Sequence, residues 1–197
     1  ECLRAADVVV YDHLVPRQLL RHAPANAELI DVGKASPQPL AQDAICYLLA
    51  EKAREGKIVA RLKWGDPFVF DRGGEEAFFL HEQDVPFEVV PGIPAAVAVP
   101  AYAGVPVTYP GGGDTVTLIR GHEDESSTLP AVDWASLARL NGTVVCYAGP
   151  HQLPLLLEAL RANGWPTDGQ AVVVYSGTMP QQKTVSGTIQ ELLDQLR

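Results

Sequence analysis

Four short stretches bear residues able to touch a ligand, and each closes an apolar run. They are Tyr11-Asp12, Gly33-Lys34, Trp64-Gly65-Asp66-Pro67 and Pro91-Gly92-Ile93-Pro94. Glycine at such a place lets a ligand approach the backbone, whose N–H and C=O groups can then read it. Each residue also has a plainer reading. Asp12 suits a turn before Leu14-Val15-Pro16, and Asp66-Pro67 is a turn initiator. Lys34 suits a solvated loop. Gly73-Gly74 with Glu75-Glu76 suits a helix start, where acids complement the helix dipole. Arg72 beside them reads as an anion clamp or a surface residue. No G-x-x-x-x-G-K-[ST] and no G-x-G-x-x-G occurs, which disfavours a nucleoside triphosphate.

The elements that position these stretches alternate. Strand-like runs occupy 7–12, 28–33, 57–65 and 87–92, with helical patterns at 16–23, 40–55, 74–83 and 94–104. Short β-branched runs separated by amphipathic helices indicate an α/β fold with a parallel sheet covered on both faces. In an open sheet of that kind, ligands sit outside the carboxyl ends of the strands. All four stretches would then converge on one edge, and that convergence is stronger evidence than any one motif.

A breaker, "YPGGGD" at 109–114, reads as a linker. A second series follows it: strands at 115–122, 142–149, 170–178 and 183–188, and helices at 133–140, 151–163 and 188–196. Asn163-Gly164 signals a helix C-terminus, and Asp133 an N-cap with Trp134 packing behind it. Two α/β domains are expected, 1–110 and 111–197. "ECLRAAD" reads as the last turns of a helix, and the final helix leads into no strand, so both ends read as truncated.

Composition bounds the function. The chain has 197 residues, 47% apolar and 20% charged, as in an ordinary globular protein. A net charge of −9 weighs against nucleic acid as a partner. No apolar run approaches the roughly 20 residues that span a bilayer. Cys2, Cys46 and Cys146 are far apart and suit a reducing, cytoplasmic compartment. Neither they nor the five histidines show metal-ligand spacing, so no metal is expected.

The chain resembles the tetrapyrrole methylases. The stretches that carry the likeness are "ADVVVYDHLV" (6–15), "ELIDVGK" (28–34), "GKIVARLKWGDPFVFDRGGEEA" (56–77), "VPFEVVPGIPAA" (85–96), "PAYAGVPVTY" (100–109), "GHEDE" (121–125) and "DWASLARLNGTVVCYAG" (133–149). The resemblance implies a two-domain fold, with a mainly parallel N-terminal sheet and a mixed α/β second domain. It also implies S-adenosyl-L-methionine held between the domains, with S-adenosyl-L-homocysteine as the product, and a homodimer. The family pattern begins with a strand and a G-x-G-P-G-D loop that this sequence does not contain.

Position by position, Asp12 and Lys34 match the family's proposed catalytic pair. Trp64, Gly65, Asp66 and Val69 match its main cofactor loop, Pro94 and Ala95 a second loop, and Ala148 and Gly177 further cofactor contacts. The sequence departs from the pattern where Trp64 and Asp71 replace glycines, Ala148 replaces a methionine, and "PGIPAA" stands for P-G-I-T-S-A. The implied reaction is C-methylation of uroporphyrinogen III to precorrin-2, on the way to siroheme or cobalamin. Another precorrin, a diphthine precursor, or binding of S-adenosylmethionine or a tetrapyrrole without turnover are the alternatives. Asp12 would take up the proton lost, or orient the macrocycle, and Lys34 would supply positive charge. His13, Arg17, Arg21, Arg61, Arg72, Arg120 and His122 are candidates for a basic rim around the substrate's carboxylates.

Overall fold

The computed structural model describes residues 1–13, 15–33, 36, 39–121 and 129–196. Packing divides the chain into two compact units, Glu1–Pro94 and Ala95–Arg197. That division falls before the breaker at 109–114, so the helix following Pro94 belongs with the second unit.

The first unit runs α1 (Cys2–Ala5), β1 (Val8–Tyr11), α2 (Arg17–Leu20), β2 (Glu28–Asp31), α3 (Gln42–Arg54), β3 (Val59–Leu62) and α4 (Gly73–Glu82). Its sheet has the order β2-β1-β3, all parallel. Val8, Val9 and Val10 are almost wholly buried, as a run with no polar alternation must be when both faces are covered. Burying each such valine stabilises by about 1.5–3 kcal/mol. Ile45 and Leu49, one turn apart on α3, close over Val8, Val10 and Val32. The register pairs Tyr11 with Asp31 and with Leu62. The residues that follow these partners therefore leave the sheet side by side, which is the expected convergence for three of the four stretches.

The fourth expectation is corrected. Residues 87–92 form no strand. Phe87 and Val90 are 46% and 61% exposed, and none of the described residues pairs with this segment in a sheet. β-branched and aromatic residues favour a strand only where a neighbouring strand completes the ladder.

The second unit runs α5 (Ala95–Tyr102), β4 (Thr115–Ile119), α6 (Trp134–Ala138), β5 (Gly142–Cys146), α7 (Leu153–Ala162), β6 (Gln170–Tyr175), β7 (Lys183–Thr188) and α8 (Ile189–Gln195). β4 and β5 pair in parallel, while β6 and β7 form an antiparallel hairpin, so the unit is mixed as expected. Ile119, Leu137, Leu157, Leu160, Ile189, Leu192 and Leu193 make its core, with Trp134 packed against them. Cys146 points into the same region, and burial pushes its thiol up to about 11.

Local signals set the helix ends. The Asp133 carboxylate accepts from the Ser136 N–H and hydroxyl, which hold it below the usual carboxylate range. α7 stops at Asn163, and Gly164 takes a left-handed φ of 95°. Thr188 and Glu191 form a reciprocal capping box at the start of α8. Thr188→Ala removes one half of that box. It is expected to lower stability by about 0.5–2 kcal/mol, read as a shift in the urea midpoint at constant slope.

Candidate active site at the carboxyl ends of the first sheet

Arg61 and Lys63 stand two residues apart at the end of β3 and so turn to the same face. Their side chains are only 13% and 6% exposed. A buried cation must be paired, and here three carboxylates converge on two cations. Arg61 Nη2 donates to Asp12 Oδ1 at 2.7 Å, and its Nε faces both Glu76 oxygens at 3.3 and 3.2 Å. Its Nη1 reaches the Val10 and Leu62 carbonyls at 3.4 Å, so the guanidinium bridges β1 and β3. Lys63 Nζ lies 3.1 Å from Asp71, 3.2 Å from Glu76 and 3.8 Å from Asp12. Gln42, at the start of α3, donates to Glu76 Oε1 at 3.0 Å.

The cluster is graded. The Glu76 side chain is 5% exposed at its base, and the Asp12 side chain is 29% exposed at its mouth. Asp12 also accepts the Val15 N–H on its backbone carbonyl. Its backbone makes the expected turn, while its side chain belongs to the ion network.

A second device joins the neighbouring loops. Asp66 accepts the Phe68 N–H at 2.9 Å on one oxygen and the Gly92 N–H at 3.0 Å on the other. The Gly92 bond, first, and the Phe68 and Val69 N–H groups hold its carboxyl below the usual range. A Cβ on Gly92 would overlap the Gly65 carbonyl, so these loops meet backbone to backbone. Gly65 itself has φ of 66°. Through Asp66, the segment that forms no strand still returns Gly92 to the ligand edge.

Within the second unit, two expected contacts meet at α5: Ala95 begins it and Gly177 packs on it. The Ala96 N–H donates to the Tyr147 hydroxyl at 2.9 Å, which ties α5 to the residue that precedes Ala148. Gly177 packs so closely on α5 that a Cβ there would overlap the Val99 side chain. Its neighbours Ser176 and Thr178 are held at φ of 48° and 66°, conformations that non-glycine residues adopt at a cost.

Other expectations fall differently. Lys34 and His122 lie outside the described residues. Arg61 is corrected: it is internal to the ion network and leaves no fork for a substrate. Arg72 is engaged by Glu75 at 2.9 and 2.6 Å, and His13 faces Asp31 at 3.6 Å. Arg17, Arg21 and Arg120 remain exposed. Trp64 is 37% exposed, and Val69 and Pro94 are half-buried.

Glu76 and Lys63 were missed by the sequence reading. The signal was present: two cations at i and i+2 in an otherwise apolar strand require acids nearby. Asp71, read only as a departure from glycine, is one of them. Among the described residues no cluster could hold a metal ion, and no helix is long and apolar enough to cross a membrane.

A partly exposed carboxylate and a glycine-lined backbone loop thus stand at the carboxyl ends of a parallel sheet, the edge at which ligands bind in open α/β folds. Residues 1–193 match the Tetrapyrrole (Corrin/Porphyrin) Methylases, and the chain belongs to that family. The S-adenosyl-L-methionine-dependent uroporphyrinogen III methyltransferase of Methanosarcina barkeri is 45% identical over 186 residues, covering 94% of this chain and 73% of that protein. The siroheme synthase of Thiobacillus denitrificans is 42% identical over 191 residues. That match covers 96% of this chain but only 40% of the relative. Among solved structures, the uroporphyrin-III C-methyl transferase of Thermus thermophilus, complexed with S-adenyl homocysteine, superposes with a TM-score of 0.80 at 33% identity. It covers all of this chain and 82% of that one.

Two measurements check the geometry. Removing one partner of a buried ion pair costs about 3–5 kcal/mol, so Glu76→Ala is expected to lose that much in urea unfolding. Asp71→Asn, at the exposed side, should lose less than about 1 kcal/mol. Equal losses would contradict the gradation. For Asp66 the depressed carboxyl is the stabilised anion. The tie to Gly92 is complete above the unfolded value of about 3.9 and is lost as pH falls through the lower folded value. Hydrogen exchange at the Gly92 amide should therefore accelerate in Asp66→Asn at neutral pH, where one oxygen has become an amide donor.

Proposed function

We propose that this chain is an S-adenosylmethionine-dependent methyltransferase that methylates ring carbons of uroporphyrinogen III, yielding precorrin-2 for siroheme or cobalamin. The observation that carries the reading is Asp12: a partly exposed carboxylate, fixed by Arg61 at the carboxyl end of the central strand, in a member of this family. The 45% identity to the M. barkeri enzyme supports this substrate over another precorrin or a diphthine precursor.

The residues present suit the cofactor. Gly65 and Gly92 leave a backbone-lined loop, and Asp66 spends both oxygens on backbone N–H groups. The nearby ion cluster has one more carboxylate than cations, a sign that suits a sulfonium and opposes a triphosphate. Bound S-adenosylmethionine supplies an electrophilic methyl group. Trp64, Gly65, Asp66 and Val69 would hold it from the first unit. Pro94, Ala95, Ala148 and Gly177 complete the proposed set of contacts.

Asp12 would accept the proton lost after the carbon is methylated, or hold the macrocycle in register for attack. Lys34 would supply positive charge to the substrate. Arg17 and Arg21 stand one helical turn apart at α2, exposed, and offer a basic pair for substrate carboxylates. Arg120 is a further candidate. A homodimer and a cytoplasmic location belong to the same proposal; the free thiols of Cys2, Cys46 and Cys146 suit a reducing compartment.

The test is mass spectrometry of the macrocycle after incubating the full-length protein with uroporphyrinogen III and S-adenosylmethionine. Methylated product is expected, and cofactor binding with unmodified substrate would instead favour a binding module. Asp12→Asn, nearly isosteric but not a base, should slow the single-turnover rate by roughly 10²–10⁴ with cofactor affinity retained. An unchanged rate would leave Asp12 a turn residue only.

A further inference from the structure

We propose that Glu76 is a positioning residue for methyl transfer, acting on Asp12 through Arg61. This rests on the reading of Asp12 as the functional carboxylate. Glu76 reaches no ligand edge itself, since its side chain is 5% exposed. What it does is set the guanidinium. Among the described residues Arg61 Nε bonds Glu76 alone, at 3.3 and 3.2 Å, and another corner of the same rigid plane holds Asp12 at 2.7 Å. A planar fork transmits orientation: fixing Nε and Nη1 leaves Nη2 one direction in which to point. Nη1 is fixed by the Val10 and Leu62 carbonyls at 3.4 Å, longer and weaker contacts than the charged ones.

Glu76 also restrains the second cation. Lys63 Nζ is 3.2 Å from Glu76, 3.1 Å from Asp71 and 3.8 Å from Asp12. With the Glu76 charge removed, Lys63 loses one of its two short partners and is free to close on Asp12. Arg61 loses the anion that sets its plane. Both changes displace the Asp12 carboxylate, and misplacing a reacting group by about an ångström costs up to about 10²-fold in rate. Gln42 donates to Glu76 at 3.0 Å, which places the device where α3, α4 and β3 meet rather than in a loop.

A double-mutant cycle in the full-length protein tests the proposal. The readouts are the single-turnover methylation rate and the affinity for S-adenosylhomocysteine by calorimetry. Glu76→Gln keeps the size and loses the charge. It is expected to slow methylation by about 10–10²-fold while leaving cofactor affinity in place, a split that general loosening of the fold would not produce. Combined with Asp12→Asn, it should add no further loss, because its route to the reaction has already been cut. Multiplying losses, or a wild-type rate in Glu76→Gln, would overturn the proposal. The Asp12→Asn arm reports separately on the reading beneath it: a wild-type rate there removes Asp12's role, and the Glu76 proposal with it. If Glu76→Gln does not fold, Arg61→Lys carries the same cycle. Its single ammonium keeps the charge but cannot bond Asp12 and Glu76 in the same fork geometry. A wild-type rate in Arg61→Lys, or losses that multiply with Asp12→Asn, would likewise overturn the proposal.

Discussion

The first unit depends on one electrostatic constraint: two cations at the carboxyl end of β3 must be neutralised where water scarcely reaches. Arg61 and Lys63 are both largely buried, and an unpaired charge there would cost several kcal/mol. The acids that meet this demand come from the residue after β1, from the loop after β3, and from α4. Three parts of the chain are thereby tied to one point. A hydrophobic contact would also have joined them, but it would not have set the direction of a carboxylate. The ion network trades some packing for orientation, and the orientation lies beside the strand ends where ligands bind in folds of this class.

Asp66 solves a different problem nearby. The segment around Gly92 has no ladder to hold it, yet its position matters to the edge. A carboxylate with both oxygens on backbone N–H groups supplies the missing tie. The closeness of Gly65 and Gly92 shows why side chains are excluded there: the carbonyl of one occupies the space a Cβ of the other would need. What the loop can show a ligand is then mostly main chain, which reads shape and hydrogen-bonding pattern rather than charge.

Charge distribution reconciles an acidic chain with a polycarboxylate substrate. The formal net charge is −9, and the cations nearest Asp12 are already paired. Under the proposed function, a basic rim would come from exposed residues such as Arg17 and Arg21, for which no ion pair is seen among the described residues. Focusing by a few exposed arginines can act locally against an unfavourable overall field, because screening limits interaction between distant exposed charges.

The sequence by itself determined the alternation of strands and helices, the parallel first sheet and the convergence of Asp12, Gly33 and Trp64-Gly65. These follow from short-range pattern: apolar runs such as Val8–Val10, the period of α3, and glycine or aspartate at element ends. It also carried the family resemblance, because motif residues keep their order along the chain. Tertiary structure decided the rest. Whether 87–92 became a strand depended on a neighbour to pair with, which propensity cannot supply. Whether Arg61 faced a substrate or an internal acid depended on α4 bringing Glu76 beneath β3, a contact between residues 15 positions apart. Asp71 looked like a deviation in a loop and proved to be a partner of Lys63. Backbone pattern is written locally, whereas the pairing of charges is settled only when packing removes water and leaves each buried ion to its nearest opposite.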